Sequence, residues 1–292
     1  RTGTALRAAD LVISQAIRRL RSRTPPPVRT EVVEFRSTVG YRIHAHVHVP
    51  VGASPREPLP AVVLCPGIDD PGSVFDRWSS PVTADEIARL GCLVMHFDPA
   101  GRGESWGEED FGGIEHQDEV RSAITYLGGR PDVDGRRIGL VSISLGVSMA
   151  LGAAADADAK VAWVLDWEGP SDREIITAGG TIMTPADGHR MDDEAYWQPR
   201  EAVRFVGSLR CPYIRLQSIE DHAQPGETRH AMRMIEAAAG GDLPWFQLND
   251  HPRGEIPRRA HWTSPGRLSA HHSIVRKIRL LLALPPLNGS AL

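Results

Sequence analysis

Cysteine is scarce in this chain: Cys65, Cys92 and Cys211 are the only three among 292 residues, each in or beside an apolar run. Their spacing excludes a disulfide framework and offers no zinc motif, and a free cysteine in such a run acts as a small hydrophobe. Long hydrophobic stretches are missing as well. With no run of about 18 apolar residues, no segment is expected to span a membrane. Positive charge is not in excess, since 33 Lys and Arg stand against 37 Asp and Glu for a net charge of -4, and the arginines are scattered rather than striped. Nucleic acid is therefore not an expected partner. Internal repeats and low-complexity tracts are absent, and so is the GxGxxG or GKS/T spacing that would hold phosphate.

The remaining composition, 41% hydrophobic and 24% charged, is that of a globular protein long enough for one large α/β core. Residues 1–29 read as an N-terminal helix and linker: Leu6, Ala9, Ile13, Ile17 and Leu20 recur at helical spacing between Ala5 and Arg23, and Pro25 to Pro27 break the run. Asp10 and Arg18 interrupt that helix, which argues for an amphipathic segment rather than a secretion signal. The expected compartment is the cytoplasm, and the start at Arg1 leaves room for a missing upstream segment.

Thr30 to Ser37 and Tyr41 to Val49 alternate polar and apolar residues around Gly40, which predicts an antiparallel hairpin. Residues 61–65, 92–97, 137–143 and 160–167 are continuous apolar runs of the kind buried on both faces of a parallel sheet. Helical patterns at 81–90, 114–127 and 145–155 separate them, so strand and helix alternate as in a doubly wound sheet. The alternation pauses over residues 170–210, which predicts a small cap inserted between two core segments, 30–169 and 211–292. A strand at 213–217, a helix at 228–239, a strand at 245–248 and a last helix at 268–284 complete the core.

Within Arg137 to Ala150 an apolar strand runs into Ser144, which has the small residues Ser142 and Gly146 two positions away on either side, and a helix-forming run follows. That is the strand-turn-helix setting of a nucleophile elbow, where bulky neighbours would collide. Ser142 is still inside the strand, and Ser148 falls a full turn into the helix, so neither presents its hydroxyl at a strand end. A serine needs a base, and the base needs an orienting carboxylate. In this topology the acid follows the strand after the insertion, which points to Asp221, with Glu220 as its rival. The base belongs in the loop after the last strand. His251 is closest to that strand's end and His261 lies farther along; His222 adjoins Asp221 too closely to face it, and His271 and His272 fall on the final helix. An oxyanion hole would take the amide of Leu145, after the nucleophile, and that of Ile68, in the loop after the first buried strand.

His44, His46 and His48 alternate along one strand face. With no carboxylate or cysteine beside them in the sequence, an exposed hairpin face accounts for them, and neither a metal nor a cofactor is expected. The Asp98 to Ser105 turn is expected to be structural. The Asp166-Trp167-Glu168 strand end either lines the site or caps a turn.

Taken together, Cys65-Pro66-Gly67, the Asp98 to Ser105 turn, the approach from Val133 to Gly139 into Ser144, and Asp221 after the following strand resemble the α/β-hydrolase superfamily over roughly residues 30–284. The hairpin from Glu31 to Pro50 and the segment from Pro131 to Asp134 are similar to its dienelactone-hydrolase, prolyl-oligopeptidase-like and X-Pro dipeptidyl-peptidase-like branches. Pro66 and Ser142 depart from the commonest residues of the family's oxyanion and G-x-S-x-G motifs, and the residues around His251 depart from its usual histidine loop. The resemblance implies an α/β-hydrolase fold and a Ser144-Asp221-His251 triad. The expected activity is a serine esterase working through an acyl-enzyme on a small-molecule ester. A peptidase or amidase acting on short peptides, and a non-catalytic ligand-binding protein, are the alternatives. Tyr196, Trp197 and Phe205 of the cap are expected to form an apolar substrate pocket, and assembly into a homo-oligomer is left open.

Overall fold

The computed structural model describes residues 25–178, 191–257 and 267–286. The expected helix at 5–23 lies outside them. Eight strands form one sheet: β1 (Val28–Arg36), β2 (Arg42–Pro50), β3 (Leu59–Cys65), β4 (Leu93–Phe97), β5 (Val133–Ile143), β6 (Trp163–Trp167), β7 (Tyr213–Leu216) and β8 (Phe246–Leu248). Their order across the sheet is β1-β2-β4-β3-β5-β6-β7-β8. The expected hairpin is present, with β1 antiparallel to β2 and β2 antiparallel to β4. All later pairings are parallel, as the continuous apolar runs predict.

Helices cover both faces: α1 (Ala84–Ala88), α2 (Ile114–Gly128), α3 (Gly146–Ala154), α4 (Arg173–Ala178), α5 (Glu194–Trp197), α6 (Val203–Val206), α7 (Arg229–Ala239) and α8 (Arg267–Leu282). Strand alternation sorts the core into two layers. Val62, Leu64, Val94, Val141, Ile143 and Leu165 pack toward α1 and α8. Ala61, Val63, Met95, Leu140 and Val164 pack toward α2, α3 and α7. Helix α1 is shorter than the 81–90 pattern because Thr83 caps it in a reciprocal capping box with Glu86, and Gly91 turns the chain at φ +93° just beyond it. Strand β5 begins earlier than expected, at Val133, where it pairs with Leu59 before a bulge. Between β6 and β7 the described residues form the short helices α4 to α6 and a 3-10 turn, Gln198–Arg200. Among the described residues no helix is long and apolar enough to cross a membrane.

Candidate active site

Ser144 and Leu145 alone separate the end of β5 from the start of α3. Ser144 has φ +52°, a left-handed conformation that a side chain adopts only when its surroundings impose it. Its amide donates to Trp167 O at 3.1 Å, which ties the turn to the end of β6. The small residue two positions on is required: a Cβ on Gly146 would stand 2.5 Å from both Cys65 O and Pro66 O. A Cβ on Gly67 would come within 3.3 Å of Ser144 Cβ, so the loop after β3 runs directly against the serine. Among the described residues no hydrogen bond engages the Ser144 hydroxyl or the Leu145 and Ile68 amides. Free amides at a helix start suit a developing anion.

The other two serines have separate positions. Ser148 is buried and donates to Arg200 O at 2.7 Å, which anchors the 3-10 turn to α3. Ser142 is buried, and among the described residues its Oγ has no partner.

The turn from Asp98 to Ser105 is structural, and it also braces the loop after β3. Asp98 accepts from Gly72 N and Glu104 N, both at 2.8 Å, across the two ends of that brace. Arg102 is buried; its guanidinium donates to Gly67 O at 2.5 Å and Asp70 O at 3.2 Å, and Glu109 holds its other edge. Gly103, at φ +52°, leaves no room for a Cβ beside the Asp98 carboxylate.

Asp221 follows β7 and is buried. One oxygen accepts from Ala223 N and Gln224 N, each at 2.8 Å, and the other from Gln217 Nε2 at 2.7 Å. Burial pushes this carboxyl up, but the neighbouring His230, Gln217 and the two amides outweigh it and hold Asp221 well below the usual carboxylate range. His230 Nε2 lies 3.5 Å from it, at ion-pair distance. His222, adjacent in sequence, stands near both carboxylates, against the expectation: its Nδ1 is 2.9 Å from Glu168 Oε2 and 3.9 Å from Asp221 Oδ1, and its ring stacks on Trp167 with centroids 4.8 Å apart. Glu168, itself at φ +50°, also accepts from Ser218 N and His222 N. This carboxylate thus fixes the Asp221 loop to the strand end that receives Ser144 N. The Asp166-Trp167-Glu168 motif is the sequence signal for it.

Beneath the loop runs a buried polar chain. Arg215 donates to Asp166 Oδ2 at 2.5 Å, to Gly169 O at 2.7 Å and to Gln217 Oε1 at 2.6 Å, and Tyr213 OH donates to the same Asp166 oxygen at 2.8 Å. Gln217 passes the connection to Asp221. Asn249, at φ +49° after β8, brackets the Gln217 backbone with bonds of 2.9 Å in both directions.

His251 sits in the turn that Asn249 starts, with its amide on Leu248 O. The turn folds back so that Gly254 N reaches Phe246 O, and Asp250 pairs with Arg276 and Lys277 on α8. Among the described residues the His251 ring has no hydrogen bond to Asp221 or to any other group. His261 lies outside the described residues. Of the aromatics expected in a substrate pocket, Trp197 is fully buried and is a packing residue, while Phe205 leans on the core and Tyr196 lies under the Arg200 guanidinium at 3.9 Å.

A mostly parallel eight-stranded sheet of this order, with a strained serine between its fifth strand and the next helix, is the α/β-hydrolase fold, and the chain has that fold. No family model matches it. Thiohydrolase apmlB of Arthrinium phaeospermum is 29% identical over 125 residues, which is 43% of this chain and 38% of that protein. An esterase of Pyrococcus furiosus superposes with a TM-score of 0.62 at 13% identity, over 87% of this chain and 92% of that one. Dipeptidyl peptidase 4 of Porphyromonas gingivalis gives a TM-score of 0.63 at 19% identity, over 90% of this chain but 36% of the peptidase. The chain therefore spans well under half the length of the thiohydrolase and of the peptidase. At such identities the likeness to solved structures is one of fold.

Proposed function

We propose that the chain is a serine hydrolase that cleaves carboxylic esters. Ser144 Oγ attacks the acyl carbon, a histidine of the segment after β8 takes its proton, and the Leu145 and Ile68 amides hold the oxyanion. The same histidine then protonates the leaving alcohol, and water releases the acyl group by the reverse sequence. Asp221 orients the base and stabilises its charged form; His251 is the sequence choice for that base and His261 the second candidate. Residues 170–210 act as the cap over the acyl group. The observation that carries this reading is the left-handed Ser144 packed against Gly67, with the Leu145 and Ile68 amides unengaged among the described residues. Two of the similar proteins, an esterase and a thiohydrolase, agree with acyl transfer from oxygen or sulfur.

Peptide-bond cleavage is the second reading, favoured by the peptidases among proteins of similar fold. A fluorophosphonate should modify Ser144 stoichiometrically, and Ser144→Ala should abolish both labelling and hydrolysis of a short p-nitrophenyl ester. A folded chain that stays unlabelled would instead be a ligand-binding protein. A p-nitroanilide turned over as fast as the matching ester would favour the peptidase.

A further inference from the structure

The histidines of β2 do not decorate an exposed face. Strand β2 lies between β1 and β4, and His46 stands directly opposite His96 in the antiparallel register. Gly72–Asp76, a 3-10 turn that follows the loop after β3, brings Asp76 onto this face. The carboxylate that the sequence neighbourhood lacks thus arrives from the fold.

His48 Nε2 and His96 Nε2 each lie 3.1 Å from Asp76 Oδ1 and 3.4 Å from each other. Zinc bonds of about 2.0 Å in tetrahedral geometry place neighbouring donor atoms about 3.3 Å apart. The three atoms therefore stand as one face of such a tetrahedron. On the open side His46 Nδ1 lies 3.3 Å from the second Asp76 oxygen, and the donor atoms of His46, Asp76 and His96 all lie within 4.8 Å of one another.

We propose that His48, His96 and Asp76, with His46 on the open side, form a zinc site. Without an ion, two ring nitrogens confront each other across one carboxylate oxygen. With a divalent cation, each nitrogen directs its lone pair at the metal. The outer contacts fit: His48 Nδ1 is 3.4 Å from Thr30 Oγ1, and His46 Nε2 is 3.3 Å from His44 Nε2, so the far sides of these two rings are engaged. The donor set of imidazoles and one carboxylate suits zinc over calcium or magnesium, which take oxygen ligands. His48 and His96 are nearly fully buried, whereas His46 and Asp76 are 27% and 33% exposed, which gives the ion a way in. Among the described residues no lysine or arginine pairs with Asp76. The site is separate from the serine chemistry. It would pin the far end of the loop after β3 to the sheet, a structural role.

The test uses the tag-free full chain, stripped by a chelator and titrated with zinc chloride by calorimetry, with metal content measured after gel filtration. One zinc per chain and a raised thermal midpoint are expected. His96→Gln and Asp76→Asn should each weaken binding by roughly a hundredfold or more, since even outer partners of metal ligands are worth about 10- to 100-fold. The His271→Ala/His272→Ala variant should bind as the parent does. Should a buried-site variant fail to fold, two further measurements probe the same four residues: weakened zinc binding in His46→Ala, at the open side, and cobalt(II) absorption of tetrahedral intensity in the parent. Failure of the parent to take up zinc, binding undiminished in Asp76→Asn, or binding lost with His271 and His272 would overturn the proposal.

Discussion

Arg215 and Asp166 form a bond of 2.5 Å between two side chains that are both wholly buried. Each charge has been taken out of water, so the pair is held as a unit. Arg215→Met should leave Asp166 as an uncompensated buried carboxylate and cost about 3–5 kcal/mol in urea unfolding. Changing both, Asp166→Leu with Arg215→Met, should cost less than the single change. A double variant less stable than Arg215→Met would show that the partners act independently.

Arg102 donates from one nitrogen, Nη1, to the carbonyls of Gly67 and Asp70, while its Nε and Nη2 fork onto Glu109 and hold the guanidinium in place. A lysine keeps the charge but not the fork. We expect Arg102→Lys to fold and to lose about tenfold in kcat on a p-nitrophenyl ester, less than the roughly 100- to 1000-fold that follows loss of an oxyanion donor itself. Unchanged kcat would separate this brace from the chemistry.

Glu119 is buried under the Asp98–Ser105 turn and takes the Ala100 amide on both oxygens. Burial pushes its carboxyl up to about 8 from an ordinary 4.5, with the Ala100 amide acting against that shift. The folded chain therefore keeps a proton that the unfolded chain has released. Stability contributed by this group is full below the ordinary value and declines as pH rises toward about 8. Glu119→Gln should flatten that decline, read as thermal midpoints across the same window. An equally steep decline in the variant would assign it to other groups.

Two substitutions decide the base. Of His251→Ala and His261→Ala, the one that removes the base should lower ester turnover roughly a thousandfold or more, and the other should leave it nearly unchanged. Loss in neither variant, with loss in His222→Ala, would move the base to the ring that Glu168 holds.

The elbow and the sheet are legible in the sequence because their signals are local. Ser144 is set by neighbours two residues away, and strands such as Val62 to Leu64 are apolar on both faces since both faces are covered. Asp76 is not legible beside His48 and His96, because a 3-10 turn carries it there from a distant part of the chain. The bracing by Arg102 is hidden for a related reason: a guanidinium bonded to main-chain carbonyls leaves no residue pattern. Glu168 stands out as a strand-end acid, but its grip on His222 depends on how β6 and β7 lie side by side. Trp197 misleads as a pocket residue, since an aromatic in an insertion can as readily face inward.

Ser148 bonds the Arg200 carbonyl from the first turn of the helix that begins just after Leu145. Gln117 of α2 holds Pro199 O and Arg200 pairs with Asp110 in the loop before α2, so together with Ser148 of α3 this part of the chain is fastened to two core helices at once. A ligand that presses on residues 198–200 therefore strains the helix at whose start the Leu145 amide is mounted. In a series of acyl groups of growing size, misfit should register as slower turnover before it registers as weaker binding.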